Sequence, residues 1–351
     1  MKPTRREFLF DAAVASAAAM AASHVGSLAA QAGESPWRSR IGLELYTVRD
    51  LMETDYVGVL EKVAAIGYKE IEPSRGYNNL APKEFRALLD RLGLSMPSAH
   101  SGASGSGLEL EKQLEGFQTM GIKYTVISGG GRGGGAGGGA APAAGGRGGR
   151  GPLPPGAYYN AGTGVTHNSF TEAEAFGPYA PPLKLEAVKQ RAATLNANGR
   201  IAQKFGIKML VHNHTDEFEK LVDSPRTPYE VLVEETDPAL VTMQLDIGWA
   251  YIAGIDPIAL FKKYPGRFEL WHLKDAFGLK KVNPSLGPNE RVSSVTFVPI
   301  GVGHIDFKPV FAQAPLAGLK HFVVEQDNAA TWGDSLSAAR VSYQNLRAIL
   351  S

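Results

Sequence analysis

Cysteine is absent from the 351 residues of this sequence, and neither sign of charge predominates, with 36 basic and 35 acidic side chains. Without cysteine the protein can form no disulfide, no thiolate zinc site and no cysteine nucleophile. The balanced charge gives no strong attraction to nucleic acid or to an acidic membrane surface. After the N-terminus, no segment reaches the run of about 18 apolar residues that a membrane span needs. Any bound metal must therefore be held by nitrogen and oxygen ligands.

The first 32 residues have the composition of a secretory signal, with a charged head, a short alanine-rich apolar stretch and the small-residue ending Ala30–Ala32. The run Thr4–Leu9 (TRREFL) resembles the twin-arginine export motif. We therefore expect cleavage after Ala32 and export of the folded protein to the periplasm, or to another exported location, through the twin-arginine machinery. The alternative is an N-terminal amphipathic helix.

Short apolar runs with β-strand character alternate with amphipathic helical stretches from residue 41 onward. Prolines and glycines mark several helix ends, as Pro82 and Gly93 do for one helix. Eight strands are predicted, over residues 41–46, 69–72, 95–99, 123–128, 207–211, 241–246, 268–273 and 321–325. Eight strand–helix units predict an α/β protein with a single-domain (β/α)8 TIM barrel over residues 40–351. A doubly wound open sheet is the alternative, but no G-x-G-x-x-G follows the first strand.

A low-complexity segment interrupts this pattern after the fourth strand. Residues 129–156 are mostly glycine and alanine, and they open an inserted loop that extends over 129–182. A phosphate-binding loop is the functional alternative, yet no G-K-[ST] closes the run. The composition favours a flexible, disordered Gly-rich insert, and the more aromatic stretch 158–176 is a candidate lid over the barrel mouth.

Histidine and carboxylate residues gather at the predicted carboxyl ends of the strands, where barrel enzymes carry their chemistry. Four of the eight histidines fall at such ends. A single residue of this kind is more often a helix cap or a hydrogen-bonded core residue, but agreement across strands five to eight indicates a metal site. The strand-end residues are Glu44, Tyr46, Glu72, His100, His212, His214, Asp246, His272 and Glu325.

The spacing excludes a common zinc motif, because H-E-x-x-H is absent. His212 and His214 stand two apart, so in a strand both side chains point to the same face and Asn213 points to the other. Either histidine could be the ligand from this strand. One of them could instead orient the other or cap the next helix.

Seven segments resemble the xylose isomerase-like barrels grouped as sugar phosphate isomerases/epimerases, and the resemblance spans about residues 40–350 outside the Gly-rich insert. The matching segments are ELYTVRD, AIGYKEIEP, SAH, VHNHTDEF, QLDIGWAYIAGIDP, ELWHLKD and VVEQD. That family includes tagatose/psicose epimerases, hydroxypyruvate isomerases and inosose dehydratases. The resemblance implies one divalent metal at the ends of strands five to eight, with Mn as the first expectation and Co, Mg or Zn as alternatives.

Carried over position by position, the resemblance makes Asp246, His272 and Glu325 metal ligands. His212 becomes the fourth ligand, in place of the glutamate of the sugar epimerases, with His214 as the alternative. Trp249 stands where many members carry a substrate-binding histidine. Both departures count against simple ketose 3-epimerisation, which resembles a proton transfer between two glutamates.

The chemistry that the resemblance implies is removal of a proton from a carbon beside a carbonyl of a sugar or keto-sugar. The candidate catalytic residues are Glu325, His214, His100 and Lys274. The candidate substrate-binding residues are Glu72, Trp249 and Glu217. Glu72 could contact substrate or orient a metal ligand. Two alternatives stay open: Lys274 could be a surface lysine paired with Asp275, and Glu72 could make only a structural hydrogen bond into the mouth.

Returning the proton to another face or carbon gives a sugar isomerase or epimerase, which is the preferred activity. Expelling a leaving group from the β-carbon gives a lyase or dehydratase that acts on a 3-keto sugar or glycoside. A metal-dependent endonuclease is disfavoured by the neutral charge and the short set of ligands. A non-catalytic sugar-binding barrel is disfavoured by the metal ligands. No nucleic-acid partner is expected.

Overall fold

The computed structural model describes residues 35–73, 76–104, 107–128, 158–160, 165–167, 183–283 and 285–351. The expected signal segment, residues 1–32, lies outside the described residues. So does the expected insert over 129–182, apart from two short strands, Tyr158–Asn160 and Val165–His167, which pair antiparallel. Among the described residues, no helix is both long and apolar enough to cross a membrane.

Eight parallel strands form the central sheet. They are β1 (Gly42–Glu44), β2 (Glu70–Glu72), β3 (Ser98–Ser104), β4 (Tyr124–Ser128), β5 (Lys208–His212), β6 (Val241–Asp246), β7 (Leu270–Leu273) and β8 (His321–Val324). From β3 to β8 each strand pairs with the next along the ring, and β1 pairs with both β8 and β2. Between β2 and β3 the ring is completed by a bridge from Glu70 to Ser95 and by a hydrogen bond from the His100 N–H to the Pro73 carbonyl. The predicted (β/α)8 TIM barrel is thereby confirmed.

A helix follows each strand on the outside of the barrel. The helices are α1 (Tyr56–Ile66), α2 (Pro82–Leu92), α3 (Gly107–Met120), α4 (Leu185–Gln203), α5 (Pro228–Glu235), α6 (Pro257–Lys263), α7 (Phe307–Phe311) and α8 (Ser335–Ile349). Local capping explains several starts: the Thr227 hydroxyl accepts from the Glu230 N–H, and the Glu230 carboxylate accepts from the Thr227 N–H. Gly93, with a φ of +65°, ends α2 in the left-handed conformation that glycine adopts without strain.

Alternation along the strands separates an apolar core from a polar barrel mouth. On β7, Trp271 points outward, where its ring stacks on Phe261 with centroids 5.0 Å apart. The neighbouring His272 lies in the polar cluster inside the barrel, in contact with Glu72. A small apolar cluster that includes Leu210 and Leu270 is separate from the larger core. Trp271 therefore packs in the core.

Two predicted strands were placed imperfectly. The third strand was expected over 95–99 but runs from Ser98 to Ser104. Pro97 has no N–H to donate to the strand ladder, so before Ser98 only an isolated bridge at Ser95 forms. The first strand ends at Glu44, whose carboxylate accepts from the Tyr46 N–H and starts a 3-10 turn. A hairpin of strands Asp275–Phe277 and Thr296–Val298, inserted after β7, was not anticipated.

Candidate active site

The predicted ligands Asp246, His272 and Glu325 come together at the carboxyl ends of β6, β7 and β8. One potential ligand atom from each lies within 4.8 Å of the others, and all three side chains are buried. Asp246 also caps the short helix Ile247–Ile252, since its Oδ1 accepts from the Trp249 N–H at 2.9 Å. This bond leaves Oδ2 as the atom directed to other partners.

His272 is held between two carboxylates from opposite parts of the chain. Its Nδ1 lies 2.7 Å from Glu325 Oε2, and its Nε2 lies 2.6 Å from Glu72 Oε1. Both side chains of the Glu72–His272 pair are completely buried. Glu72 was expected either to contact substrate or to orient a ligand, and its geometry fits the second role.

Lys274 is buried among carboxylates, not on the surface. Its Nζ lies 2.8 Å from Asp327 Oδ2, 3.1 Å from Glu325 Oε2 and 3.5 Å from Asp246 Oδ2. The alternative of a surface pair with Asp275 is therefore wrong. Asp275 instead accepts backbone N–H bonds, including one from Gly303. Burial opposes the charge of Lys274, but Asp327 and the other carboxylates raise the pKa of the ammonium well above its ordinary value.

His100 enters the site from β3 and keeps 16% of its side chain exposed. Its Nε2 lies 2.5 Å from Gln244 Oε1 and 3.3 Å from Glu72 Oε1. The ring stacks on His272 at a centroid distance of 5.0 Å and meets His212 edge-on at 4.7 Å. Burial lowers the pKa of His100, which favours a neutral imidazole.

The two histidines after β5 take different positions. His212 is 4% exposed and forms a group with His100 and His272 whose possible ligand atoms lie within 4.8 Å of one another. It does not join the Asp246 and Glu325 group by the same distance. His214 is half-buried, and its ring lies 5.1 Å from His212. Burial and the charge of Lys274 lower the pKa of His214 to about 4.

Glu217 and Trp249 were assigned to substrate binding, and the structure places both side chains inside the protein. Glu217 Oε2 accepts from the His214 N–H at 2.8 Å, so this carboxyl group orders the loop that carries His214. Burial, reinforced by Asp216, raises the pKa of Glu217 to about 8. The Trp249 indole is 1% exposed and packs edge-on against Phe297 and His214. The indole ring forms part of the wall of the site, and neither face of it is exposed for stacking on a substrate.

The remaining pKa shifts reflect the competition between burial and close pairing of carboxylates with cations. Burial opposes ionisation of Glu72 and Glu325, yet His100 and His272 for the first and Lys274 and His272 for the second hold both pKa values well below the ordinary range. Burial opposes protonation of His272, but Glu72 and Glu325 raise its pKa well above the ordinary value. Burial raises the pKa of Asp246 to about 7, against the pull of Lys274.

The donor set fits a divalent cation. Asp246 Oδ2 and His212 Nδ1 are buried and have no hydrogen-bond partner, an arrangement that costs free energy unless another partner is bound. Carboxylate oxygen and imidazole nitrogen are ligands that Mn, Co and Zn accept. His272 has the arrangement typical of a metal ligand, because a ligating histidine usually donates its other N–H to a carboxylate such as Glu72. Asp246, His272 and Glu325 would hold the metal, with His212 beside them.

Two residues of the site, Gln244 and Asp327, were missed as functional candidates, and a third, Glu44, was noted at a strand end but given no role. Glu44 lies with Glu72, His100 and His272, and burial and then Glu72 raise its pKa well above the ordinary value. Gln244 and Asp327 each stand two residues from a predicted ligand, Asp246 and Glu325. The two-residue period of strands could have found Gln244, which lies on β6, but not Asp327, which follows the end of β8.

Comparison with known proteins identifies the family of this chain. A family model described as xylose isomerase-like TIM barrel matches residues 159–342, more than half of the chain, and the chain belongs to this family. An inosose dehydratase from Geobacillus kaustophilus is 26% identical over 266 residues, which are 73% of this chain and 74% of that protein. One from Clostridium tetani is 32% identical over 139 residues, 36% of this chain and 42% of that protein. The match spans less than half the length of that protein and of two further inosose dehydratases from Clostridium species.

Solved structures share the barrel. A sugar phosphate isomerase/epimerase from Parabacteroides distasonis is 18% identical, with a TM-score of 0.58 over 91% of this chain and 96% of that one. The IOLI protein with a bound zinc atom is 15% identical, with a TM-score of 0.54 over 89% and 98%. A xylose isomerase-like barrel protein from Mycobacterium smegmatis in complex with magnesium is 15% identical, with a TM-score of 0.53 over 89% and 96%. At these identities the likeness establishes the fold alone.

Proposed function

We propose that this protein is a divalent-metal-dependent enzyme that removes a proton from a carbon next to a carbonyl in a polyhydroxylated substrate. The observation that carries the proposal is the group formed by Asp246, His272 and Glu325, in which Asp246 Oδ2 accepts no hydrogen bond and lies 3.5 Å from the buried ammonium of Lys274. A divalent metal held there would supply a Lewis acid for the carbonyl and hydroxyl oxygens of a sugar. Mn is the first metal to test, followed by Zn, Co and Mg.

Lys274 would act on developing negative charge. Its ammonium is fixed by three carboxylates and packs 5.2 Å from the centre of the Trp249 ring, so its position is set before substrate binds. A fixed, buried cation stabilises an oxygen anion more than a mobile, solvated one does. Its raised pKa supports a permanent charge and argues against proton transfer by the lysine itself.

The proton would be taken by a histidine. Glu325, expected to be both ligand and acid/base group, has its pKa held too low for a good base near neutral pH, which supports the ligand role. His100 and His214 are only partly buried, and burial lowers the pKa of each. A neutral imidazole that reaches the mouth can accept a proton from carbon and later return it to oxygen or carbon.

We favour elimination of water or another β-substituent from a keto-cyclitol or keto-sugar. The inosose dehydratase from Geobacillus kaustophilus, which matches most of the chain, supports this choice over the isomerase preferred from the sequence. The structure also offers no pair of free carboxylates for a two-glutamate transfer among its described residues, because Glu72 and Glu325 are both bound to His272. Elimination requires only that the base also return its proton to the leaving oxygen.

Isomerisation or epimerisation is the second candidate. His100 comes from β3 and His214 follows β5, and the His212 ring contacts both at 4.7 and 5.1 Å. Two proton carriers on separate strands are what a transfer between two faces or two carbons needs.

The deciding experiment is a reaction in D2O with keto-inositols, 3-keto-glycosides and ketoses, with each metal added in turn. Deuterium exchange at the carbon beside the carbonyl, seen by NMR, tests the proposed proton removal. Loss of the β-substituent then identifies a lyase, and recovery of a deuterated epimer or isomer identifies an isomerase. An enzyme that exchanges no substrate proton with any metal overturns the proposal. Metal content of the purified protein addresses the rivals, since three bound ions would indicate the endonuclease and none the sugar-binding barrel.

A further inference from the structure

Gln244 lies inside the barrel on β6, two residues before Asp246, and is 1% exposed. Its amide makes one hydrogen bond on each side. The Nε2 donates to Glu72 Oε2 at 2.7 Å, and the Oε1 lies 2.5 Å from His100 Nε2. Gln244 therefore connects a strand-2 carboxylate to a strand-3 imidazole across the barrel interior.

The donor and acceptor chemistry of the neighbours fixes the orientation of the Gln244 amide. A carboxylate only accepts, so the amide nitrogen of Gln244 must face Glu72 and the amide oxygen must face His100. The second neighbour of His100 Nε2 is Glu72 Oε1, at 3.3 Å, and it is also an acceptor. Both partners of this nitrogen require it to carry a hydrogen. A neutral imidazole has a single ring hydrogen, so Nδ1 is then left with its lone pair.

We propose that Gln244 is a positioning residue that holds His100 as the Nε2–H tautomer and so keeps Nδ1 as the basic atom available at the barrel mouth. Glu72 serves both histidines in this arrangement: it accepts the Nε2–H of His272 directly and orients His100 through the amide. The assignment of His100 as the base that uses this lone pair rests on the proposed function. The tautomer itself does not.

Glutamine suits this position better than its charged isostere. A glutamate at 244 would bring a second carboxylate to Glu72 Oε2 in a fully buried site, where like charges repel strongly. An apolar residue would remove the nearer acceptor of the His100 Nε2–H together with the donor to Glu72, and would leave only Glu72 Oε1, at 3.3 Å, facing that nitrogen. A neutral amide donates to Glu72 through its nitrogen and presents its oxygen as an acceptor to His100. It therefore links the two groups without adding a charge.

The test is the tautomer of His100, measured by long-range 1H–15N correlation NMR on protein labelled with 15N-histidine. Spectra are recorded at pH 8 with zinc bound, because zinc is diamagnetic, and His100→Gln identifies the resonances. We expect a single Nε2–H tautomer in the wild type. In Gln244→Met the Nδ1–H form should appear. The kcat for exchange of the substrate proton with solvent should fall about 10- to 100-fold, with a smaller change in KM.

Thr242→Val is the matched control, because Thr242 lies on the same strand, two residues earlier, and is equally buried. Its tautomer spectrum should equal that of the wild type. A wild-type His100 that carries its hydrogen on Nδ1 overturns the proposal, as does a Gln244→Met spectrum identical to the wild type. Gln244→Leu replaces the methionine variant if that one does not fold. A correct tautomer in a protein that exchanges no substrate proton would count against the proposed function alone.

Discussion

Glu72 Oε1 lies 2.6 Å from His272 Nε2 although the two residues are 200 positions apart in the chain. The contact joins β2 to β7 across the barrel interior and leaves Nδ1 of His272 directed to Glu325. A ligand histidine with one nitrogen held by a carboxylate is restricted in ring orientation, and its other nitrogen becomes a better donor to a metal. The pair thus sets which atom of His272 would be available to a bound metal.

Asp246→Asn should remove the metal while leaving the barrel folded. The amide keeps an oxygen for the Trp249 N–H, so the helix cap is retained. Metal affinity should fall on the order of 100-fold or more, measured by competition with a fluorescent chelator. Asp256→Asn is the matched control because Asp256 caps α6 in the same way from an exposed position. Equal metal binding by both variants would remove Asp246 from the site.

Lys274→Met should destabilise the protein strongly, because it leaves Asp246, Glu325 and Asp327 without their shared cation. Breaking a buried ion pair from one side costs about 3–5 kcal/mol. We expect a loss of this size in urea unfolding with chelator present, and partial recovery when a divalent metal is added. Lys263→Met removes an exposed partner of Glu230 and should cost less than about 1 kcal/mol. Similar losses in the two variants would contradict the burial argument.

Glu217→Gln should change how stability depends on pH. The folded-state pKa of about 8 exceeds the ordinary value of 4.5, so between these values the native state binds the proton more tightly than the unfolded chain. Stability supplied by this carboxyl is therefore complete below about pH 4.5 and is lost as pH rises towards 8. The Gln variant keeps the acceptor for the His214 N–H and should become more stable relative to wild type as pH increases.

Urea unfolding at intervals between pH 5 and pH 8 measures this difference. Glu186→Gln, at an exposed position of α4, is the control and should follow the wild type throughout. A Glu217→Gln difference that stays constant across the range would show that the carboxyl is ionised in the folded protein.

Gly303→Ala should disrupt the loop that Asp275 organises. The Asp275 carboxylate accepts backbone N–H bonds from four residues, Ala276, Gly301, Gly303 and Ile305. A Cβ on residue 303 would lie against this carboxylate and 2.7 Å from the Ala276 nitrogen. We expect a loss of about 1–3 kcal/mol in thermal or urea unfolding. Gly287→Ala is the control, since its nearest neighbouring atom is 3.8 Å away, and an equal effect there would refute the steric argument.

Replacing Arg5 and Arg6 together by lysine should block export. Twin-arginine signals are recognised through the arginine pair, so the variant should remain as a full-length precursor in the cytoplasm of a competent host. The wild type should appear outside the inner membrane, shortened at Ala32, as read by fractionation and N-terminal sequencing. Lys2→Arg keeps the charged head and should be exported normally. Export of the double variant would exclude the twin-arginine route.

Local patterns were enough to predict the barrel and the meeting of Asp246, His272 and Glu325 at its mouth. Each of these residues lies within one position of the end of its strand, and parallel strands in a barrel end at one face. The partners of Lys274 could not be found in the same way, because they come from β6 and from the segment after β8, and strand order and register decide whether they meet. The burial of Trp249 depends on the hairpin inserted after β7, which places Phe297 against its ring. The periodicity of the strands does not predict that hairpin.

The narrow closure between β2 and β3 has a dynamic consequence. Glu72 ends one of these strands and His100 belongs to the other, so the seam of the barrel runs between the two residues that Gln244 connects. Amide hydrogens such as those of Ile71 and His100, which cross the seam, should exchange with solvent sooner than those between β6 and β7. Each opening of the seam would separate the carboxylate from the imidazole, so the lifetime of the assembled site is tied to the breathing of the barrel wall.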